Sequence, residues 1–139
     1  MLTISTDPAL LDVDRIHRWL STDAYWSLGR PREVMERAIA GSLNFGGYDE
    51  DGQVAYARLV TDRATFAWLC DVYVDPDVRG RGVGVALLEA VDRELAGLRV
   101  ARAVLATEDA HGLYARHGFE VMDHPERWMI RRYDGPRSE

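Results

Sequence analysis

Residues Thr65 to Leu95 read Thr-Phe-Ala-Trp-Leu-Cys-Asp-Val-Tyr-Val-Asp-Pro-Asp-Val-Arg-Gly-Arg-Gly-Val-Gly-Val-Ala-Leu-Leu-Glu-Ala-Val-Asp-Arg-Glu-Leu. The first ten are almost continuously apolar and rich in aromatic and β-branched residues, the composition of a central strand covered on both faces. One carboxylate, Asp71, interrupts them. After a polar link from Asp75 to Val78, three glycines stand at alternate positions, Gly80, Gly82 and Gly84. Leu87, Leu88, Val91 and Leu95 then form the apolar stripe of a helix whose other side carries Glu89, Asp92 and Arg93. Ala101 to Ala106 reads as a further strand, so the unit is strand, loop, helix, strand, with a right-handed crossover expected.

On the N-terminal side, Asp7-Pro8 offers a cap and a first-turn proline for a helix carrying Val13, Ile16 and Leu20. A second helix starts at Pro31, with Val34, Met35, Ala38 and Ile39 on one face and Gly41 at its end. The aromatic and polar segment Asp23 to Arg30 between them reads as a loop able to cover a site. From Leu43 the period changes to that of strands, and Asp51-Gly52 between two apolar-rich runs predicts a hairpin over Leu43 to Val60. On the C-terminal side, a short helix is expected from about Ala110 to Arg116, capped by Asp109 and followed by Gly118. Strands are expected at Phe119 to Met122 and at Trp128 to Ile130, with Gly135 to Glu139 frayed.

The 139 residues are 47% hydrophobic and 29% charged, the balance of a single globular domain over residues 1–139. The lone cysteine, Cys70, permits no intramolecular disulfide and no Cys-x-x-Cys metal site, which fits a reducing, cytoplasmic setting. His17, His117 and His124 have no ligand spacing, so no metal is expected. No apolar run approaches the roughly 18 residues a membrane span needs. A net charge of −6 argues against affinity built on neutralising nucleic-acid phosphates. All 17 basic residues are arginine. A Walker phosphate loop and Schiff-base chemistry both require lysine and are excluded.

A local anion site remains possible on chemical grounds. Glycines let successive backbone N–H groups converge, the following helix start adds its dipole, and Arg79 and Arg81 add positive charge. A dinucleotide-binding fingerprint fits poorly, because the spacing here is Gly-x-Gly-x-Gly and four polar-link residues separate strand from glycines. Arg79-x-x-Gly82-x-Gly84 after Val72-Tyr73-Val74-Asp75-Pro76 resembles the acyl-CoA loop of the GNAT superfamily of N-acetyltransferases. Ala110-His-Gly-Leu113-Tyr114-Ala-Arg-His-Gly118-Phe119 resembles that family's second signature, and the opening helices and hairpin follow its order.

The resemblance implies an α/β (α+β) fold with a mixed, mostly antiparallel sheet, splayed between two parallel central strands and flanked by helices. It implies acetyl-CoA as co-substrate, with the pantetheine arm along the backbone of Val72, Tyr73 and Val74 and the diphosphate over Arg79, Gly80, Arg81, Gly82, Val83 and Gly84. Tyr114 is the implied general acid for the departing thiol, the alternative being a ring that only packs beside the cofactor. Asp71 is the carboxylate candidate for the base; its alternative is a buried structural aspartate bonded to backbone or arginine. Related enzymes often place a glutamate where Cys70 stands, and an asparagine where Thr107 stands. Cys70 itself reads as a small core hydrophobe.

Tyr25, Trp26 and Arg30 are the candidate acceptor contacts, with Trp128 from the tail, since aromatic rings in an acidic protein suit a cationic amine. The implied activity is acetyl transfer to a small-molecule, amino-acid or peptide amine. A catalytically silent CoA-binding regulatory module is the alternative, and an enzyme modifying aminoacyl-tRNA is disfavoured by charge. Family habit allows a homodimer.

Overall fold

The computed structural model describes residues 1–134; the expectation for Gly135 to Glu139 lies outside the described residues. Among the described residues five strands form one sheet in the order β1-β2-β3-β4-β5: β1 (Thr3–Ser5), β2 (Leu43–Asp49), β3 (Gly52–Thr61), β4 (Phe66–Val74) and β5 (Arg102–Val104). The first four pair antiparallel, and β5 runs parallel to β4 after the crossover helix α3 (Val83–Leu98). Helices α1 (Val13–Thr22) and α2 (Arg32–Ala40) lie on the opposite face, and the five-residue helix α4 (His111–Ala115) follows β5.

Two apolar clusters sandwich the sheet. On one face Val83, Leu87, Leu88 and Val91 of α3 meet Phe45, Ala57, Leu59, Ala67 and Leu69. On the other, Ile16, Trp19, Leu20 and Met35 of α1 and α2 meet Tyr56 and Tyr73. The side chains that β4 gives each cluster change parity along the strand. Ala67 and Leu69 face α3, then Val72 and Val74 do, whereas Tyr73 turns to α1. The cause is a β-bulge. Tyr56 opposes Tyr73 and Arg58 opposes Cys70, so Asp71 and Val72 together face the one residue Ala57. Asp71 takes φ +54°, a left-handed conformation that only a few residue types accept readily.

The hairpin, the long strand, the crossover helix and the parallel return stand where the sequence places them. Several ends differ. Asp7 caps only a single 3-10 turn, Pro8–Leu10, and α1 begins at Val13, where the Asp12 carboxylate accepts from the Arg15 N–H at 3.1 Å. Thr3–Ser5, unmarked in the sequence, adds an edge strand against Gly46 to Tyr48. Ala110 rather than Asp109 stands at the α4 cap position, and the Thr107 hydroxyl accepts from the N–H groups of Asp109 and Ala110.

The two expected C-terminal strands do not form among the described residues, which leaves β5 at the sheet edge. Phe119 is drawn back instead, its N–H donating to the Tyr114 carbonyl at 3.1 Å, and Pro125–Arg127 makes a 3-10 turn. Trp128 reaches the sheet only through its side chain, stacked on Phe66 at 6.4 Å with Arg102 over its ring.

Candidate active site

The ladder between β4 and β5 is short. It joins Phe66 to Arg102, Ala67 to Ala103 and Trp68 to Val104, and then the strands part. Among the described residues, the β5-facing side of β4 from Leu69 to Val74 has no strand partner and opens onto a cleft of about 590 Å³. Leu105, Ala106 and Thr107 form the other wall. Unpaired strand-edge amides are strong hydrogen-bond donors awaiting a partner, so the splay is itself a binding surface for an extended polar chain.

The glycine loop closes one end. Gly80 and Gly82 take φ +82° and +81°, which L side chains rarely adopt, and α3 starts directly after them. Gly80, Gly82, Val83 and Gly84 line the cleft, where the first-turn N–H groups and helix dipole favour an anion. Arg79 lines it too: its Nε donates to the Val74 carbonyl at 3.0 Å, its guanidinium lies 5.3 Å from the Tyr73 ring centre, and Asp23 stands 3.8 Å away. Arg81, grouped with Arg79 in the sequence, is exposed and outside the cleft wall.

Tyr114 stands on the opposite wall, half-buried, its ring edge-on to Phe119 at 6.0 Å. Burial pushes its phenol up to about 12, with the nearby Tyr25 and Asp109 adding to the rise. The hydroxyl is therefore a neutral donor throughout the physiological range. Tyr25 and Trp26 also line the cleft, 5.0 Å apart and edge-on. The Tyr25 hydroxyl accepts the Glu108 N–H at 3.0 Å, tying the loop to the far wall.

Asp71 has a different setting from that of a base. Its Oδ1 accepts from Trp26 Nε1 at 2.8 Å and Arg30 Nη2 at 3.2 Å, and its Oδ2 from Arg30 Nη1 at 2.7 Å and Arg58 Nε at 2.6 Å. The side chain is 0% exposed. Burial alone would raise its carboxyl, but the hydrogen bonds and charges of Arg30 and Arg58 outweigh that and hold it below the usual carboxylate range. A carboxylate sealed from water with both oxygens engaged is a poor proton acceptor, which corrects the expectation of a base. Arg30 is corrected likewise. Its guanidinium is 2% exposed, bound to Asp71 and absent from the cleft wall.

Arg58, missed in the sequence, had a signal: it is the one charge in the apolar run Val54 to Val60. Trp68 and Asp23 also line the cleft, and nothing local distinguished them. Cys70 is buried, and burial pushes its thiol up to about 12. Among the described residues, no group of three or more His, Cys, Asp or Glu is placed to hold a metal ion, and no helix is long and apolar enough to cross a membrane.

The family model of the acetyltransferase (GNAT) domain matches residues 41–121, the span that holds the splay, the glycine loop and Tyr114. This chain belongs to the GNAT acetyltransferase family. A Gibberella zeae protein designated an acetyltransferase is 34% identical over 160 aligned positions, covering 98% of this chain and 90% of that one. The crystal structure of a Xanthomonas campestris protein, designated a GNAT-family acetyltransferase, superposes with a TM-score of 0.90 at 47% identity, covering 96% and 94% of the two chains. A Mycobacterium tuberculosis protein solved in complex with CoA shares the fold at a TM-score of 0.71 and 21% identity, covering 88% and 75%. The GNAT sheet, with its parallel pair parting midway, is thus the frame on which this chain's cleft is built.

Proposed function

We propose that this GNAT protein transfers an acetyl group from acetyl-CoA to a primary amine by direct attack, with Tyr114 as general acid. One observation carries the reading: the parting of β4 and β5 sets the glycine loop, the open strand edge and the Tyr114 phenol around a single cleft. Acetyl-CoA supplies an activated thioester. The loop of Arg79, Gly80 and Gly82 and the α3 start receive the diphosphate, and the peptide groups of Val72 to Val74 receive the arm and polarise the acyl carbonyl.

The amine nitrogen forms its bond to the acyl carbon as the carbon–sulfur bond breaks. The electron pair of that bond goes to sulfur, which takes the Tyr114 proton, and the proton shed by the amine leaves through water and restores the phenol. Water is assigned this part because Asp71 is sealed. The phenol is neutral at physiological pH, so its proton is available as sulfur develops charge, at an uphill cost that its rise to about 12 increases. Burial of Cys70 with a protonated thiol favours direct transfer over an acyl-cysteine.

The test is free-thiol release from acetyl-CoA over a panel of amines, with calorimetry of CoA binding beside it. Binding together with amine-dependent thiol release is expected. Binding without release on any amine makes the protein a CoA-responsive regulatory module, and no heat at millimolar CoA overturns the site itself.

A further inference from the structure

We infer that the acceptor is a primary amine borne on an aromatic or bulky apolar skeleton without carboxylate or phosphate, received by the corner that Tyr25 and Trp26 make beside Tyr114. This rests on the N-acetyltransferase reading above.

The corner is built rather than incidental. Trp26 is anchored through Nε1 to Asp71 at 2.8 Å, and Tyr25 through its hydroxyl to the Glu108 N–H at 3.0 Å. The rings meet edge-on at 89° with centres 5.0 Å apart. Both are therefore held before any ligand arrives, and rings fixed in advance offer large contact area at little ordering cost. Trp68 adds a third aromatic to the same cleft.

Charge excludes the other acceptors. Among the described residues lining the cleft, the carboxylates open to solvent are Asp23 and Asp109 and the one cation is Arg79, while Asp71 is sealed against Arg30 and Arg58. Arg79 adjoins the glycine loop, and its charge is already engaged: it bonds the Val74 carbonyl, lies over Tyr73 and stands 3.8 Å from Asp23. Arg30 and Arg58, which bind the Asp71 that anchors Trp26, are 2% and 8% exposed and ion-paired there. An acceptor carboxylate or phosphate would lose its water against aromatic rings with no cation beyond the engaged Arg79 to receive it, whereas Asp109 attracts an incoming ammonium.

The experiment compares kcat/KM for 2-phenylethylamine, phenylalaninamide, phenylalanine, glutamate and glucosamine 6-phosphate with the full chain and saturating acetyl-CoA. Phenylethylamine and phenylalaninamide are expected to exceed phenylalanine, which differs by its carboxylate, by about 10²-fold, and the other two anions by more. Tyr25→Leu should raise KM for phenylethylamine about ten-fold with the CoA Kd unchanged, and Trp26→Phe should do so less, since it keeps a ring and loses the anchor. Acetylation of phenylalanine, glutamate or the sugar phosphate as efficient as that of phenylethylamine overturns the inference and leaves the enzyme reading intact. CoA binding with no amine acetylated overturns both.

Discussion

Replacing Asp71 by asparagine changes one atom type and isolates one force. The backbone at φ +54° is as acceptable to asparagine as to aspartate, so conformational strain is nearly constant. Charge is not constant. Arg30 and Arg58 would face a neutral amide inside the protein, each with a donor lost or misdirected. Removing one partner of a buried pair costs about 3–5 kcal/mol, a large share of the roughly 5–15 kcal/mol that holds a domain of this kind. At this chain length that corresponds to a Tm lower by about 10–20 °C. Asp71→Ala should lose about 1–2 kcal/mol more, because alanine also resists the left-handed conformation. Adding Arg58→Met to Asp71→Asn should recover part of the loss by removing the uncompensated charge. Urea unfolding at pH 7 followed by tryptophan fluorescence measures all four proteins. An Asp71→Asn variant within about 1 kcal/mol of the parent would refute the claim that this buried ion cluster stabilises the fold.

Tyr114→Phe should lower kcat by about 10²-fold while the CoA Kd stays within two-fold, by thiol release and calorimetry; an unchanged kcat removes Tyr114 from the chemistry. Cys70, its thiol raised to about 12, should resist alkylation at pH 8 in the native protein and react once urea unfolds it. Gly82→Ala and Gly84→Ala should move Tm in opposite directions. The first forces alanine to φ +81° and costs about 1–2 kcal/mol. The second places Cβ in ordinary contact, 3.8 Å from Val74, within the first turn of α3, where helix propensity contributes about 0.5–1 kcal/mol. The depressed carboxyl of Asp71 fixes the sign of its pH effect: its contribution is full above the unfolded value near 4 and is lost as pH falls through the lower folded value. Acid unfolding of Asp71→Asn should therefore show a shallower loss of stability below pH 4 than the parent.

What the sequence disclosed and what it withheld follow from the range of the forces involved. The Asp51-Gly52 turn, the three alternate glycines and the stripe Leu87, Leu88, Val91 are local features, legible within one turn of chain, and they sufficed to place the hairpin, the glycine loop and the crossover helix. Tyr114 was legible only through its motif, because its position over the splay depends on how far β4 and β5 stay paired. The bulge at Asp71 was hidden for a related reason. A strand apolar on both faces shows no alternation from which a parity change could be read, so Thr65 to Val74 looks uniform although its side chains swap faces midway. The partners that donate to Asp71 lie 41 and 13 residues away; a lone charge in each of two apolar strands could have pointed to Arg58, while Arg30, in a loop, carried no such mark. Overprediction at Phe119 to Met122 and Trp128 to Ile130 has the opposite cause. Apolar extended segments look like strands whether or not a sheet edge receives them, and β5 offers only three paired residues. The acceptor corner combines both limits. Tyr25 and Trp26 are adjacent and visible as aromatics, yet what makes them a site is a pair of anchors, Asp71 and Glu108, that meet them only after folding.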